Sequence, residues 1–168
     1  MDGATETGAS GTSLSPEQIQ RQRWMAVLAR AGAAELESAL PAIAEAAGEL
    51  PAYQLIRRPE IGMAMVRARA GGTGAAFNLG EMTMTRCTLR TATGFVGTAY
   101  VAGRSQRQAE LAALLDALLQ DPRHQAKLLA IVIDPLARAQ NLRRRRRVDR
   151  SAPTRVDFLT VVRGEDSL

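Results

Sequence analysis

The chain has 168 residues, 46% of them apolar and 23% charged, which is enough to bury one core without covalent staples. No run approaches the roughly 18 to 20 apolar residues of a membrane span, and a single cysteine, Cys87, excludes an internal disulfide framework. The formal charge is +5, from 22 Lys and Arg against 17 Asp and Glu; the unbroken run Arg143 to Arg147 matches that excess by itself, so the basicity is a local patch on an otherwise balanced chain.

Residues 1–14 are Gly, Ser, Thr, Ala and acid, and are expected to form a disordered arm ahead of one α+β domain over 15–168. The arm has neither the basic flank nor the apolar stretch of a secretory signal, so a cytoplasmic address is expected. Ser15-Pro16-Glu17-Gln18 predicts a helix start, with serine as the cap, proline in the first turn and Gln18 closing a capping box. Trp24, Val27, Leu28 and Ala31 follow at helical spacing, and Gly32 can end that helix. Leu36, Leu40, Ile43 and Ala47 predict a second helix that Pro41 kinks or splits.

The period then changes to two. Tyr53 to Arg58 reads as a strand, Pro59-Glu60-Ile61-Gly62 as a tight turn, and Met63 to Ala70 as a second strand. After a glycine-rich stretch, Glu81 to Arg90 and Phe95 to Ala102 supply two more, joined by a turn at Thr91 to Gly94. Ser105 and Gln108 announce the clearest helix, whose Leu111, Leu114, Leu115, Leu118 and Leu119 suffice to cover one sheet face. Asp121-Pro122 and Asp134-Pro135 predict two further helix starts, the second helix carrying the arginine run. Arg155 to Val162 is β-prone and is either a fifth strand or a partner-binding tail. The expectation is an antiparallel meander sheet of four to five strands, with N-terminal helices and a C-terminal helical segment packed on it.

The chemistry is sparse. Within "RARAGGTGAAFNLGEMT", Gly72 and Gly74 begin a dinucleotide fingerprint, but Phe77 stands where its last glycine belongs, and a strand rather than a helix follows. A hairpin connection is the better reading. His124, the only histidine, falls in a first helical turn and reads as an exposed helix residue; it cannot assemble a zinc site with one cysteine. Cys87 lies mid-strand and reads as a small buried hydrophobe. Glu110 and Asp116 are six apart, on different faces of their helix. Arg67 with Arg69, and Arg86 with Arg90, each share a strand face, and with Arg104 form either a guanidinium surface for phosphate or a partner's carboxylates, or a merely solvated face. No catalytic, cofactor-binding or metal-ligating residue is assigned. The apolar run Phe158, Leu159, Val161, Val162, with Arg163 beside it, is the expected partner interface, added to the edge of a partner's sheet.

Four segments carry a resemblance: "RWMAVLARA", "ARAGGTGAAFNLGEMTMTRCTLR", "GTAYVAGRSQRQAELAALLDALLQ" and "RVDFLTVVRGE". Together, from about Arg21 to Glu165, the chain resembles the G-subunit (PhnG) family of the carbon–phosphorus lyase core complex. The resemblance implies an accessory subunit of bacterial phosphonate degradation that works with the H, I and J subunits. The I subunit is the implied catalytic centre, where an alkylphosphonate such as methylphosphonate displaces adenine from ATP to give α-D-ribose 1-methylphosphonate 5-triphosphate. ATP and methylphosphonate are thus substrates of the complex, and no cofactor is implied for this chain. Where the family is expected to show a histidine, the chain reads Ser105-Gln106-Arg107-Gln108-Ala109-Glu110, and the acidic arm and arginine run look particular to it. Two other readings compete: a nucleic-acid-binding module using Arg143 to Arg147, against which stands the lack of interleaved aromatics, and a stand-alone phosphate-transfer enzyme using the arginine faces.

Overall fold

The structure is a computed structural model that describes residues 14–69 and 74–151. Helix α1 (Pro16–Leu28) starts as its sequence predicts. Ser15 Oγ accepts the Gln18 N–H at 3.2 Å, and Gln18 Oε1 accepts the Ser15 N–H at 2.8 Å. Gly32 does not end this helix. It is the N-cap of α2 (Ala33–Ala47), where its N–H donates to Glu35 Oε2 at 2.9 Å. Helix α2 runs unbroken through Pro41, which lies on its exposed side while Leu36 and Ile43 are buried. Gly48, at φ 84°, closes it with a left-handed residue.

The sheet has three described strands in the order β1–β2–β3, all antiparallel: β1 (Tyr53–Arg69), β2 (Ala76–Thr91) and β3 (Val96–Ala102). The meander is as expected; three strands are described where four to five were expected. The two strands expected on either side of Pro59 are one strand of 17 residues. Register steps between Leu55 and Arg57, and between Arg57 and Glu60, take up the proline, and β1 is an edge strand, where a missing N–H breaks no ladder. The glycine-rich stretch joins β1 to β2 as a hairpin connection, and its residues 70–73 lie outside the described ones. So does the expected strand at 155–162.

Helix α3 (Gln106–Leu119) starts on Ser105, whose Oγ accepts the Gln108 N–H. It is the centre of the molecule: every residue from Leu111 to Leu119 is buried. One side lies on the sheet and the others meet α1, α2 and α4 (Pro122–Leu128). The approach to the sheet is close because Gly97 has no side chain. A Cβ there would overlap the Ala113 carbonyl oxygen and fall 2.6 Å from the Ala117 nitrogen. Asp134-Pro135 does not begin a separate helix. Helix α4 passes through one π turn (Leu129–Ile133) directly into α5 (Asp134–Ser151), and that wide turn precedes Pro135, whose ring and missing N–H would disrupt a regular α turn.

Candidate interaction surface

Among the described residues, few polar side chains are buried, and the most enclosed carboxylate is fully partnered. Asp116, on α3, is fully buried. It accepts from Arg21 Nε (3.2 Å) and Nη2 (2.7 Å), Trp24 Nε1 (2.9 Å) and the Thr98 N–H (2.9 Å). Sequence reading weighed this carboxylate only against Glu110; its one signal was a lone acid inside the leucine-rich "LLDALL". Arg21 and Gln120 donate to the Val96 carbonyl, so the start of the β3 outer edge is capped by side chains. An open pocket of about 460 Å³ lies beside α1, but the donors of Arg21, Trp24, Gln120 and Gln125 on its wall all reach protein acceptors.

The residues singled out for chemistry do not converge. Arg67 and Arg69 lie opposite Asn78 and Ala76, whereas Arg86 and Arg90 lie opposite Glu60 and Gln54. Seven residues of extended strand separate Glu60 from Arg67, roughly 23 Å, so no single guanidinium surface forms from the two pairs. Arg86 is in addition paired with Glu60, which also takes Arg57 at 2.6 Å; the hydrogen bonds from Arg57 and Arg86 hold this carboxyl below its usual range. Glu60, expected within a tight turn, is instead a strand residue that joins Arg57 and Arg86.

Cys87 is buried as expected. Burial, then the charge of Glu110, pushes its thiol up to about 11, so it is no thiolate nucleophile near neutrality. Glu110 accepts the Tyr53 hydroxyl at 2.6 Å; that bond and then burial raise the phenol to about 12. His124 sits in the first turn of α4, half-buried rather than exposed. No cluster able to hold a metal occurs among the described residues, and no described helix is long and apolar enough to cross a membrane. The arginine run lies on exposed turns of α5, where successive residues point about 100° apart and so surround the axis. Arg143 meets Glu35 at 2.8 Å. Phe158, Leu159, Val161, Val162 and Arg163 lie outside the described residues.

What remains is a ribbon. Beyond Gly62 and Met84, the latter paired with Ala102 at the end of β3, β1 and β2 continue as a two-stranded hairpin. Cross-strand partners share a face. The pairs Ile61–Thr85, Met63–Thr83 and Met65–Glu81 extend the face that α3 covers, on which Thr85, Cys87 and Leu89 are buried. There Met63 is 70% and Met65 52% exposed. The opposite face carries Phe77 and Met82, also exposed, against Ala68 and Ala64. Leu79, 64% exposed, is the extra residue where the register steps between Val66 and Arg67. A two-stranded ribbon is marginal in water alone, and exposed apolar side chains along it offer a surface to a neighbour. The period of two over Met63 to Ala70 puts Met63 and Met65 on one face, but does not show that the helix layer stops short of them.

An α+β body with a buried, fully partnered carboxylate and with Ile61, Met63, Met65, Phe77, Leu79 and Met82 exposed along one hairpin has the form of an association module. The family model of the phosphonate metabolism protein PhnG matches residues 19–164. The chain is also 42% identical over 158 residues to the alpha-D-ribose 1-methylphosphonate 5-triphosphate synthase subunit PhnG of Rhizobium meliloti (strain 1021), an alignment covering 94% of this chain and 98% of the relative. The chain belongs to the PhnG family.

Proposed function

We propose that this protein is an accessory subunit of the carbon–phosphorus lyase core complex in phosphonate catabolism. It acts in the cytoplasm with the H, I and J subunits, and is required for the displacement of adenine from ATP by an alkylphosphonate, which gives α-D-ribose 1-methylphosphonate 5-triphosphate. The observation that carries this reading is the near end-to-end match to a synthase subunit. The uncovered apolar ribbon agrees with it, because such a surface needs a neighbour. The chain holds no cofactor of its own in this reading, and the reacting groups belong to the I subunit. The C-terminal run Phe158, Leu159, Val161, Val162 with Arg163 joins the edge of a partner's sheet.

The test is co-expression with the three partners, followed by an assay of adenine release from ATP and methylphosphonate. Release that needs all four chains supports the proposal. Turnover by this chain alone, or full activity without it, refutes it. Deleting residues 155–168 is expected to abolish co-purification with the I subunit, and unchanged assembly would remove the C-terminal run from the interface.

A further inference from the structure

We propose that the ribbon face bearing Ile61, Met63 and Met65 is the seat of an amphipathic helix from a neighbouring subunit, apolar along one stripe and acidic at the end nearest the hairpin tip. This rests on the reading of the chain as a subunit, and adds where the neighbour docks and what its contacting element is.

The first argument is continuity. Cys87, Leu89, Ala99 and Val101 are buried on this sheet face because α3 lies over them. The same face runs on, without a change of side, through Thr85–Ile61, Thr83–Met63 and Glu81–Met65. The helix layer stops while the β1 side of this face stays apolar through Ile61, Met63 and Met65; the β2 side carries Thr83 and the exposed Glu81. An element that completes the layer is a helix lying on the sheet, as α3 does. An added strand would satisfy only the β1 edge and leave the methionine side chains in water.

The second argument is the order of charge. Along β1 the side chains on this face read Ile61, Met63, Met65, Arg67, Arg69 from body to tip, and the register step that follows lies in β2, so the β1 alternation is unbroken. Arg67 and Arg69 are exposed, and the Arg69 contact is to the neutral Gly74 carbonyl at 3.1 Å. Two guanidinium groups at one end of an apolar strip select acidic residues at the matching end of the partner helix. The strip from Ile61 to Arg69 spans about 26 Å, the length of a helix of roughly 18 residues. Methionine fits the contact because its unbranched thioether adapts to a partner surface.

The experiment uses the full chain co-expressed with the H, I and J subunits. A photoreactive benzoyl-phenylalanine at position 63 is expected to cross-link to one partner subunit at residues three and four apart. The double variant Met63→Glu/Met65→Glu is expected to lower complex yield roughly tenfold or more, with the thermal midpoint of the chain unchanged because both side chains are exposed. Met82→Glu, on the opposite face, is the control and is expected to assemble normally. Cross-links at alternate residues, to a second copy of this chain or to its own residues 155–168 would overturn the proposal, as would normal assembly of the double variant or an equal loss with Met82→Glu. Failure of the unaltered chain to assemble would overturn the subunit reading as well; assembly of both it and the double variant would overturn the placement alone.

Discussion

Asp116 joins three elements at one carboxylate: its own helix α3, α1 through Arg21 and Trp24, and β3 through the Thr98 N–H. A buried charge is tolerable here because every approach to it is occupied by a donor. Removing it strands the Trp24 N–H, the Thr98 N–H and a partly buried guanidinium together. Asp116→Ala is expected to destabilise the chain by roughly 3 kcal/mol, read from the urea midpoint. Asp116→Asn should lose less, since an amide oxygen still accepts from two of the donors. Asp121 behaves differently. Its hydrogen bond from the exposed Arg123 guanidinium holds its carboxyl at about 2, below the ordinary 3.8. The folded value is depressed, so its contribution is complete above about pH 4 and disappears as the pH falls through 2. Asp121→Asn, which preserves the helix cap, should flatten that part of the stability profile in acid titrations. At this scale the caps were legible in the sequence. Ser15, Ser105 and Asp121 act on residues two or three positions away. The role of Asp116 was not, because its donors come from 18 to 95 residues away.

Among the elements, Gly97 fixes how closely α3 approaches the sheet. The atoms that a Cβ would meet are helix backbone, which cannot swing aside. Gly97→Ala is expected to cost roughly 1 to 3 kcal/mol or more, visible as a lowered calorimetric midpoint. A glycine within a strand does signal close approach, but not which backbone approaches. The strands show the opposite failure. Pro59-Glu60-Ile61-Gly62 has the composition of a turn, yet the chain runs straight through it. Composition reports what a segment can do locally. The decision came from β2, whose 16 residues pair along both halves of β1 and leave Pro59 at a register step on an open edge. The continuation of α4 into α5 has the same lesson: Asp-Pro is a sound start signal that packing overrode with a π turn.

For the molecule as a whole, the contrast is between its two conspicuous surfaces. The arginine run supplied the whole formal charge excess, and it lies on exposed turns of α5, with Arg143 tied to Glu35. The apolar ribbon is harder to see in the sequence and more demanding physically, because exposed methionine and phenylalanine gain from burial whereas exposed arginine is already solvated. Converting Arg144, Arg145 and Arg146 to glutamine is therefore expected to leave the yield of the proposed complex with the H, I and J subunits unchanged. Any retention on nucleic acid in gel shifts should fall with the charge and with added salt. Loss of the complex on this change would mean that α5, and not the ribbon alone, holds a partner. The sequence by itself determined the family, the starts of α1, α3 and α4, the antiparallel meander and the burial of Cys87, since each is encoded in residues close together or in a period that one face of an element imposes. The tertiary structure alone decided which carboxylate would carry the core, that two expected strands would be one, and that the helix layer would end before the sheet face it covers, because each depends on where distant segments come to rest against one another.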